Sequence, residues 1–145
     1  MNIPSSSPLQ ADERFEPYIR AALGRKSEAL VAMDVHALTA FADLFLICSG
    51  RSTRQVKAIG DYIIREMKRQ GVRPLSVEGL DDGIWVLLDY DDVIIHIFFD
   101  ETRRMYDLES LWADAPRYDT THIAPPAGPD MDTYSFDDDE ELTDD

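Results

Sequence analysis

The sequence predicts a single α/β domain in which a mixed β-sheet is flanked by helices. Three observations predict this fold: several apolar runs of strand length, one long amphipathic helix pattern and one hairpin pattern. The elements follow in the order helix, strand, strand, helix, strand, strand, strand, helix. The strand–helix–strand passage from Leu44 to Val77 allows one parallel crossover, and the hairpin adds an antiparallel pair.

The first 50 residues contain one predicted helix and two predicted strands. Residues 1–11 are rich in Ser and Pro, so we expect a disordered N-terminal tail before a folded domain at 12–113. The first helix is expected to begin near Glu16, because a proline follows at the first helical position. The apolar runs 30–35 and 44–48 predict two buried strands.

The clearest local signal marks the start of a long helix. Ser52 and Gln55 have the spacing of a capping box, in which the side chain of each residue accepts a hydrogen bond from the backbone N–H of the other. Apolar residues then recur at spacings of three, four and four: Val56, Ile59, Ile63 and Met67. Cations fill the last turn and Gly71 follows, which is typical of a helix end. We therefore predict a helix over 53–70.

A hairpin dominates the second half of the chain. After a short strand at 74–77, strands at 84–89 and 93–99 are joined by Tyr90 and Asp91, which we predict to be a two-residue turn. Residues 101–112 are helical in composition, with a predicted break near Asp107.

The predicted turn fixes which side chains share a face of the hairpin. Asp89 then pairs with Asp92, and Trp85 pairs with His96. One face is wholly apolar and is expected to be core: Ile84, Val86, Leu88, Val93, Ile95 and Ile97. The other face is mixed: Trp85, Leu87, Asp89, Asp92, Ile94 and His96. An aromatic anchor beside acids suits a basic partner, although helices that cover this face would make Trp85 ordinary core.

Charge is unevenly distributed along the chain. There are 29 acidic and 14 basic residues, a formal net charge of −15, and the segment from Asp114 onward holds eleven acids and one cation. We predict that 114–145 is a disordered acidic tail. The chain lacks the basic footprint of a sequence-specific nucleic-acid binder and suits basic protein partners instead.

Cysteine content and hydropathy exclude further classes. The single Cys48 excludes an internal disulfide and a cysteine-based zinc site. Neither a signal-peptide pattern nor an apolar run long enough for a membrane span is present, so we expect a soluble, cytoplasmic protein without a membrane partner.

Several residues fit catalytic patterns, each beside a simpler structural account. Asp89 and Asp91 resemble the paired acids of a metal-dependent phosphoryl transferase, but acids are also common in turns. Residues 49–52 could hold a phosphate on backbone N–H groups or simply cap a helix. We expect His96 to be a hydrogen-bonded strand residue and Cys48 to be a buried thiol. The cations near the long helix could contact RNA or form a solvated face: Arg51, Arg54, Lys57, Arg65, Lys68 and Arg69.

Five segments between Asp34 and Trp112 stand in a specific order and spacing. They are 42–50 (an acid, an apolar strand and a Ser-Gly pair), 52–59, 77–79 (with Glu-Gly), 85–98 and 103–112. In combination they resemble the ribosomal silencing factor family, also known as Iojap. The sequence departs from the family at Asp91, where a glycine is usual, so a positive φ is expected there.

The resemblance implies a nucleotidyltransferase-like fold without that activity, and therefore no catalytic residues, metal or cofactor. It implies binding to the large ribosomal subunit through ribosomal protein fourteen, which blocks association with the small subunit and represses translation. It also allows a homodimer. We assign binding to the mixed hairpin face and its turn: Trp85, Leu87, Asp89, Tyr90, Asp91, Asp92 and His96. The alternatives are a nucleotidyltransferase-like enzyme or nucleotide-binding protein, and an acidic adaptor whose tail does the binding.

Overall fold

A computed structural model describes residues 9, 10 and 12–126 of the 145-residue chain. In chain order the elements are β1 (Leu9–Gln10), a 3₁₀ turn (Glu13–Phe15), α1 (Glu16–Ala22), β2 (Glu28–Asp34), β3 (Leu44–Gly50), α2 (Thr53–Arg69), β4 (Ser76–Glu78), β5 (Trp85–Asp89), β6 (Val93–Phe99), α3 (Asp100–Tyr106), α4 (Leu108–Leu111) and β7 (Tyr118–Asp119). The predicted order of helices and strands from α1 to α4 is confirmed. Within the described range, none of the helices has the length and hydropathy needed to span a bilayer.

Five strands form a mixed sheet in the order β2-β3-β6-β5-β4. β3 and β6 are parallel, and the other three pairs are antiparallel. It follows that β4 runs in the same direction as β3 but lies at the far edge, with the β5–β6 hairpin between them. The predicted parallel crossover through α2 therefore exists, and it spans two intervening strands.

The sheet is covered unequally on its two faces. α1 and α2 pack on the inner face over the main core, to which α2 contributes Val56, Ile59 and Ile63. A smaller cluster around Met33 and Phe45 lies on the opposite, outer face. All seven residues of β3 are buried, as expected for a central strand with side chains packed on both faces.

Helix α2 begins and ends as its sequence predicts. The Ser52 hydroxyl accepts the Gln55 N–H at 3.0 Å, and the Gln55 side-chain oxygen accepts the Arg51 N–H at 2.7 Å, one residue before the reciprocal partner of a standard capping box. At the other end Gly71 takes a φ of 86°, and the N–H of Val72 reaches the Met67 carbonyl at 2.9 Å. This is a Schellman cap, which requires the left-handed glycine.

The C-terminal part of the fold differs from the prediction. Asp107 is left-handed, with φ 48° and ψ 54°, and this separates α3 from α4 where the break was predicted. Beyond it, Ala115 and Ile123 are buried, and the Asp34 N–H donates to the Pro116 carbonyl at 2.8 Å. The parallel pair β1–β7 joins residues from both predicted tails. The predicted limits at 11 and 114 are therefore wrong, because isolated apolar residues among prolines still pack on the domain. Residues 1–8, 11 and 127–145 lie outside the described residues.

Candidate docking surface on the outer sheet face

The β5–β6 hairpin has a different turn from the predicted one. The Tyr90 N–H donates to the Val93 carbonyl at 2.8 Å, so Asp91 and Asp92 are the two turn residues. Asp89 pairs with Ile94, and the predicted Asp89–Asp92 and Trp85–His96 pairs are wrong, because Trp85 pairs with Phe98. The register differs by two residues, and side chains alternate with a period of two, so the assignment of residues to faces is unchanged.

Backbone geometry explains this choice of turn. Asp91 has a φ of 76° at the first turn position, where two-residue hairpin turns favour glycine or Asn/Asp. The positive φ expected at this departure from the family pattern is confirmed. The Asp89 carboxylate accepts the Asp91 N–H at 2.8 Å, an Asx-type bond that ties this acid to the turn.

The predicted core face of the hairpin is confirmed with one exception. Val86, Leu88, Val93, Ile95 and Ile97 are buried between the sheet and the inner-face helices. Ile84 is 46% exposed. It lies immediately before β5.

On the outer face, Trp85 and His96 form one polar contact within an aromatic group. The indole N–H of Trp85 donates to Nδ1 of His96 at 3.2 Å, and its ring lies 4.8 Å from Phe98 and 4.9 Å from Tyr106. Burial lowers the pKa of His96 to about 4, so the ring is neutral and carries its proton on Nε2. His96 is buried, which makes it a support for the half-buried Trp85 and excludes it from direct contact with a partner.

Tyr90 does not project from the hairpin tip as predicted. Only 6% of it is exposed, and its ring packs edge-on against Tyr18 at 5.3 Å. Its hydroxyl has no hydrogen-bond partner among the described residues, and burial raises its pKa. Tyr90 is therefore core, because α1 brings Tyr18 over the inner side of the turn.

Sequence reasoning missed the exposed apolar side chains on the two helices that follow β6. Met105, Tyr106 and Leu111 are 74%, 53% and 75% exposed on α3 and α4. Helix α3 contacts β6 and β3, and the ring of its Tyr106 lies against that of Trp85 on β5. We define the docking surface as Trp85, Leu87, Ile94, Met105, Tyr106 and Leu111.

Acids border the docking surface. Asp91 and Asp92 at the turn are exposed, and Asp89 is half-buried. Glu78 on β4 pairs with Leu87 and is exposed, so it lies on the same face. The arrangement is an apolar, partly aromatic centre with a negative rim, and it can attract and bind a basic protein surface.

The other sequence candidates have structural roles. Burial raises the pKa of the Cys48 thiol to about 12, so it is an inert core residue. The Ser49 hydroxyl accepts from Arg103 at 3.1 Å, and Arg103 also bonds Glu109 at 2.7 Å, which ties β3 to α3 and α4. Across residues 9, 10 and 12–126, no three His, Cys, Asp or Glu side chains are placed to hold a metal ion.

Comparison with known proteins identifies the chain's relatives. A sequence profile of the family described as "Ribosomal silencing factor during starvation" matches residues 8–142. The chain is 39% identical over 108 residues to the ribosomal silencing factor of Halalkalibacterium halodurans, covering 74% of this chain and 92% of the relative. It is 36% identical over 75 residues to the mouse protein named "Mitochondrial assembly of ribosomal large subunit protein 1", covering 50% and 33%. A crystal structure from Bacillus halodurans superposes with a TM-score of 0.66 at 34% identity, covering 74% of this chain and 97% of that one.

Proposed function

Because the chain belongs to the ribosomal silencing factor family, we propose that it binds the large ribosomal subunit through ribosomal protein fourteen and blocks association with the small subunit. Translation falls as a result, without a catalytic step or a cofactor, and the site of action is the cytoplasm. The observation that carries the proposal is the docking surface, in which the exposed Tyr106 of α3 lies against the half-buried Trp85 of β5. The mouse relative's name, which refers to the large ribosomal subunit, also supports this partner.

The chemistry of the docking surface fits a ribosomal protein. Such proteins bind RNA and so carry basic side chains, which the exposed acids Asp91 and Asp92 would attract. Trp85 and Tyr106 supply the large aromatic area that usually dominates interface energies. Asp89 contributes charge from a fixed position, since its carboxylate is held by the turn. A second copy of the chain is a competing occupant of the same surface, and a homodimer would then exclude the ribosomal protein.

The enzyme alternative has no specific observation in its favour. Asp89, the first of the paired acids, is bonded to the turn backbone, and Ser49 is bonded to Arg103. We expect nucleotide with magnesium to leave the unfolding temperature unchanged. A nucleotide-dependent rise that disappears in Asp89→Asn would support the enzyme instead.

The test combines two aromatic truncations with a matched control. Trp85→Ala together with Tyr106→Ala should weaken binding to the isolated ribosomal protein by roughly thirtyfold or more, which is the effect of losing about 2 kcal/mol at an interface. Phe41→Ala removes an aromatic side chain that is 81% exposed in the β2–β3 loop, and it should leave the affinity unchanged. Surface plasmon resonance gives the affinity, and sucrose-gradient sedimentation of mixed subunits reports subunit joining.

Circular dichroism and sedimentation equilibrium complete the experiment. A folded double variant that keeps the wild-type affinity would place the ribosome contact elsewhere, with the basic side of α2 as the next candidate. A wild-type dimer that dissociates in the double variant, while ribosomal protein binding is unaffected, would assign the docking surface to self-association.

A further inference from the structure

Helix α2 carries a line of cations opposite its buried side. Arg54, Lys57, Arg65 and Lys68 follow the helical repeat on the side away from the core residues, with Asp61 among them. The loop before β2 extends this line, because the Gln55 amide donates to the carbonyls of residues 25 and 26 at 3.2 and 3.0 Å. We call the following side chains the basic face: Arg25, Lys26, Arg54, Lys57, Arg65, Lys68 and Arg69.

The basic face differs in charge from the rest of this acidic chain. Residues 51–73 hold seven cations and two acids, whereas the whole chain has a formal net charge of −15. Arg54, Lys68 and Arg69 are exposed, and Lys57 and Arg65 are half-buried. A concentrated positive side on a negative protein attracts a polyanion over roughly 8–10 Å at physiological salt.

The described chain ends beside this helix. Pro126 lines a shallow hollow together with Pro17 and Arg20 of α1 and Glu66 and Gln70 of α2. The remaining segment, 127–145, has nine acids and no cation, including the run Asp137–Glu141. The most negative part of the chain is therefore attached next to its most positive surface.

The lengths of the two parts are compatible. Nineteen residues can extend about 60 Å at most, whereas a helix of 17 residues is about 25 Å long. The ten residues between Pro126 and Asp137 alone can extend about 35 Å. The acidic run can therefore reach every cation of the basic face.

We propose that the acidic segment 130–145 binds the basic face of its own chain and competes there with other polyanions, such as an RNA backbone. Tethering on this scale gives an effective concentration of about 1 mM. Non-specific phosphate binding by such a surface has a Kd of about 0.1 mM. The segment would then weaken binding of an external polyanion about tenfold, and the surface would open only when the segment is displaced or its charge is neutralised.

The first measurement uses a fluorescent oligouridine of twelve nucleotides and the full-length chain. Replacing the run Asp137–Glu141 by the corresponding amides should tighten oligouridine binding about tenfold at low salt. The control is a variant with the same change in net charge, made at exposed acids of the folded part: Glu13, Glu78, Asp92, Glu101 and Asp114. If both variants tighten binding equally, net charge accounts for the effect. If neither binds tighter than wild type, the segment does not compete for the basic face. Either result refutes the proposal.

The second measurement locates the segment. Carbodiimide joins a lysine to a carboxylate in direct contact, and the three lysines of the chain are Lys26, Lys57 and Lys68, all on the basic face. Mass spectrometry of the monomeric band should find them joined to acids within 130–145, with the cross-links lost in 0.5 M salt (roughly a 4 Å screening length). Cross-links found only in dimers would identify the tail of a second copy as the occupant, and their absence from both bands would refute the proposal.

Discussion

The left-handed residue at the hairpin tip permits a sharp test of the backbone. Asp91 has a φ of 76°, a conformation that costs an L residue about 1–2 kcal/mol and costs glycine nothing. Glycine loses more chain entropy on folding, which offsets about 0.4–1 kcal/mol of that gain. We therefore expect Asp91→Gly to raise the free energy of unfolding by about 0.5 kcal/mol.

Alanine at the same position isolates the backbone contribution. Both replacements remove the same carboxylate from its neighbour Asp92, and both keep the N–H that donates to Asp89. Side-chain charge therefore cancels between the two variants, whereas alanine retains the strain and lacks the left-handed tolerance of aspartate. The glycine variant should exceed the alanine variant by about 1 kcal/mol, or about 4 °C in unfolding temperature for a domain of this size.

Differential scanning calorimetry of the three proteins gives the order of stability. An alanine variant at least as stable as the glycine variant would show that residue 91 does not occupy the left-handed region, and the turn would then need another register. The same two variants test the acidic rim. If Asp91 steers the ribosomal protein, both variants should associate with it more slowly than wild type, and by the same factor. This difference from wild type should vanish at high salt.

Four further outcomes concern the core. Arg103→Met should lower the free energy of unfolding by about 3 kcal/mol in urea titrations, because it leaves the partly buried Glu109 without its cation. Tyr90→Phe should be neutral or stabilising by up to about 1 kcal/mol in the same assay, because the buried hydroxyl has no described partner. The pKa of His96 is about 4 in the folded state and about 6.5 when unfolded, so the unfolded chain takes up this proton first as the pH falls. Stability should therefore decline by up to about 3 kcal/mol between pH 6.5 and 4, and less steeply in a His96→Gln control. A chain ending at Ala115 should unfold at a lower temperature than one ending at residue 126, by an amount equivalent to about 3 kcal/mol, since it lacks a buried isoleucine and a backbone hydrogen bond.

Local signals allowed accurate prediction of individual elements. The bounds of α2 follow from the Ser52 cap, the apolar spacing and Gly71, all of which act within one or two helical turns. The break at Asp107 and the strand at 93–99 were predicted for similar reasons. The face assignment of the hairpin was also correct, because any shift by two residues preserves it.

Features that depend on distant residues were not predictable in this way. Tyr90 and Asp91 together resemble a turn, but Tyr90 is a core residue that packs against Tyr18, from the far end of the chain. Ile123 is one apolar residue in a proline-rich stretch, and its place is formed by elements that precede it by many residues. The exposed Met105 and Tyr106 lie where α3 covers only part of the sheet, which depends on packing angles that the local sequence does not specify.

The position of β3 has a consequence for synthesis of the chain on the ribosome. β3 ends at Gly50, but its parallel neighbour β6 ends at Phe99, so 49 residues separate completion of the two strands. At about 5–20 residues per second, the nascent chain has no β6 to pair with for roughly 2 to 10 s. During this interval β3, all of whose residues are buried in the folded protein, has one open hydrogen-bonding edge. The bridge between Met33 of β2 and Arg117 forms later still. A nascent-chain chaperone that protects apolar strands should therefore engage this protein between these two points of translation.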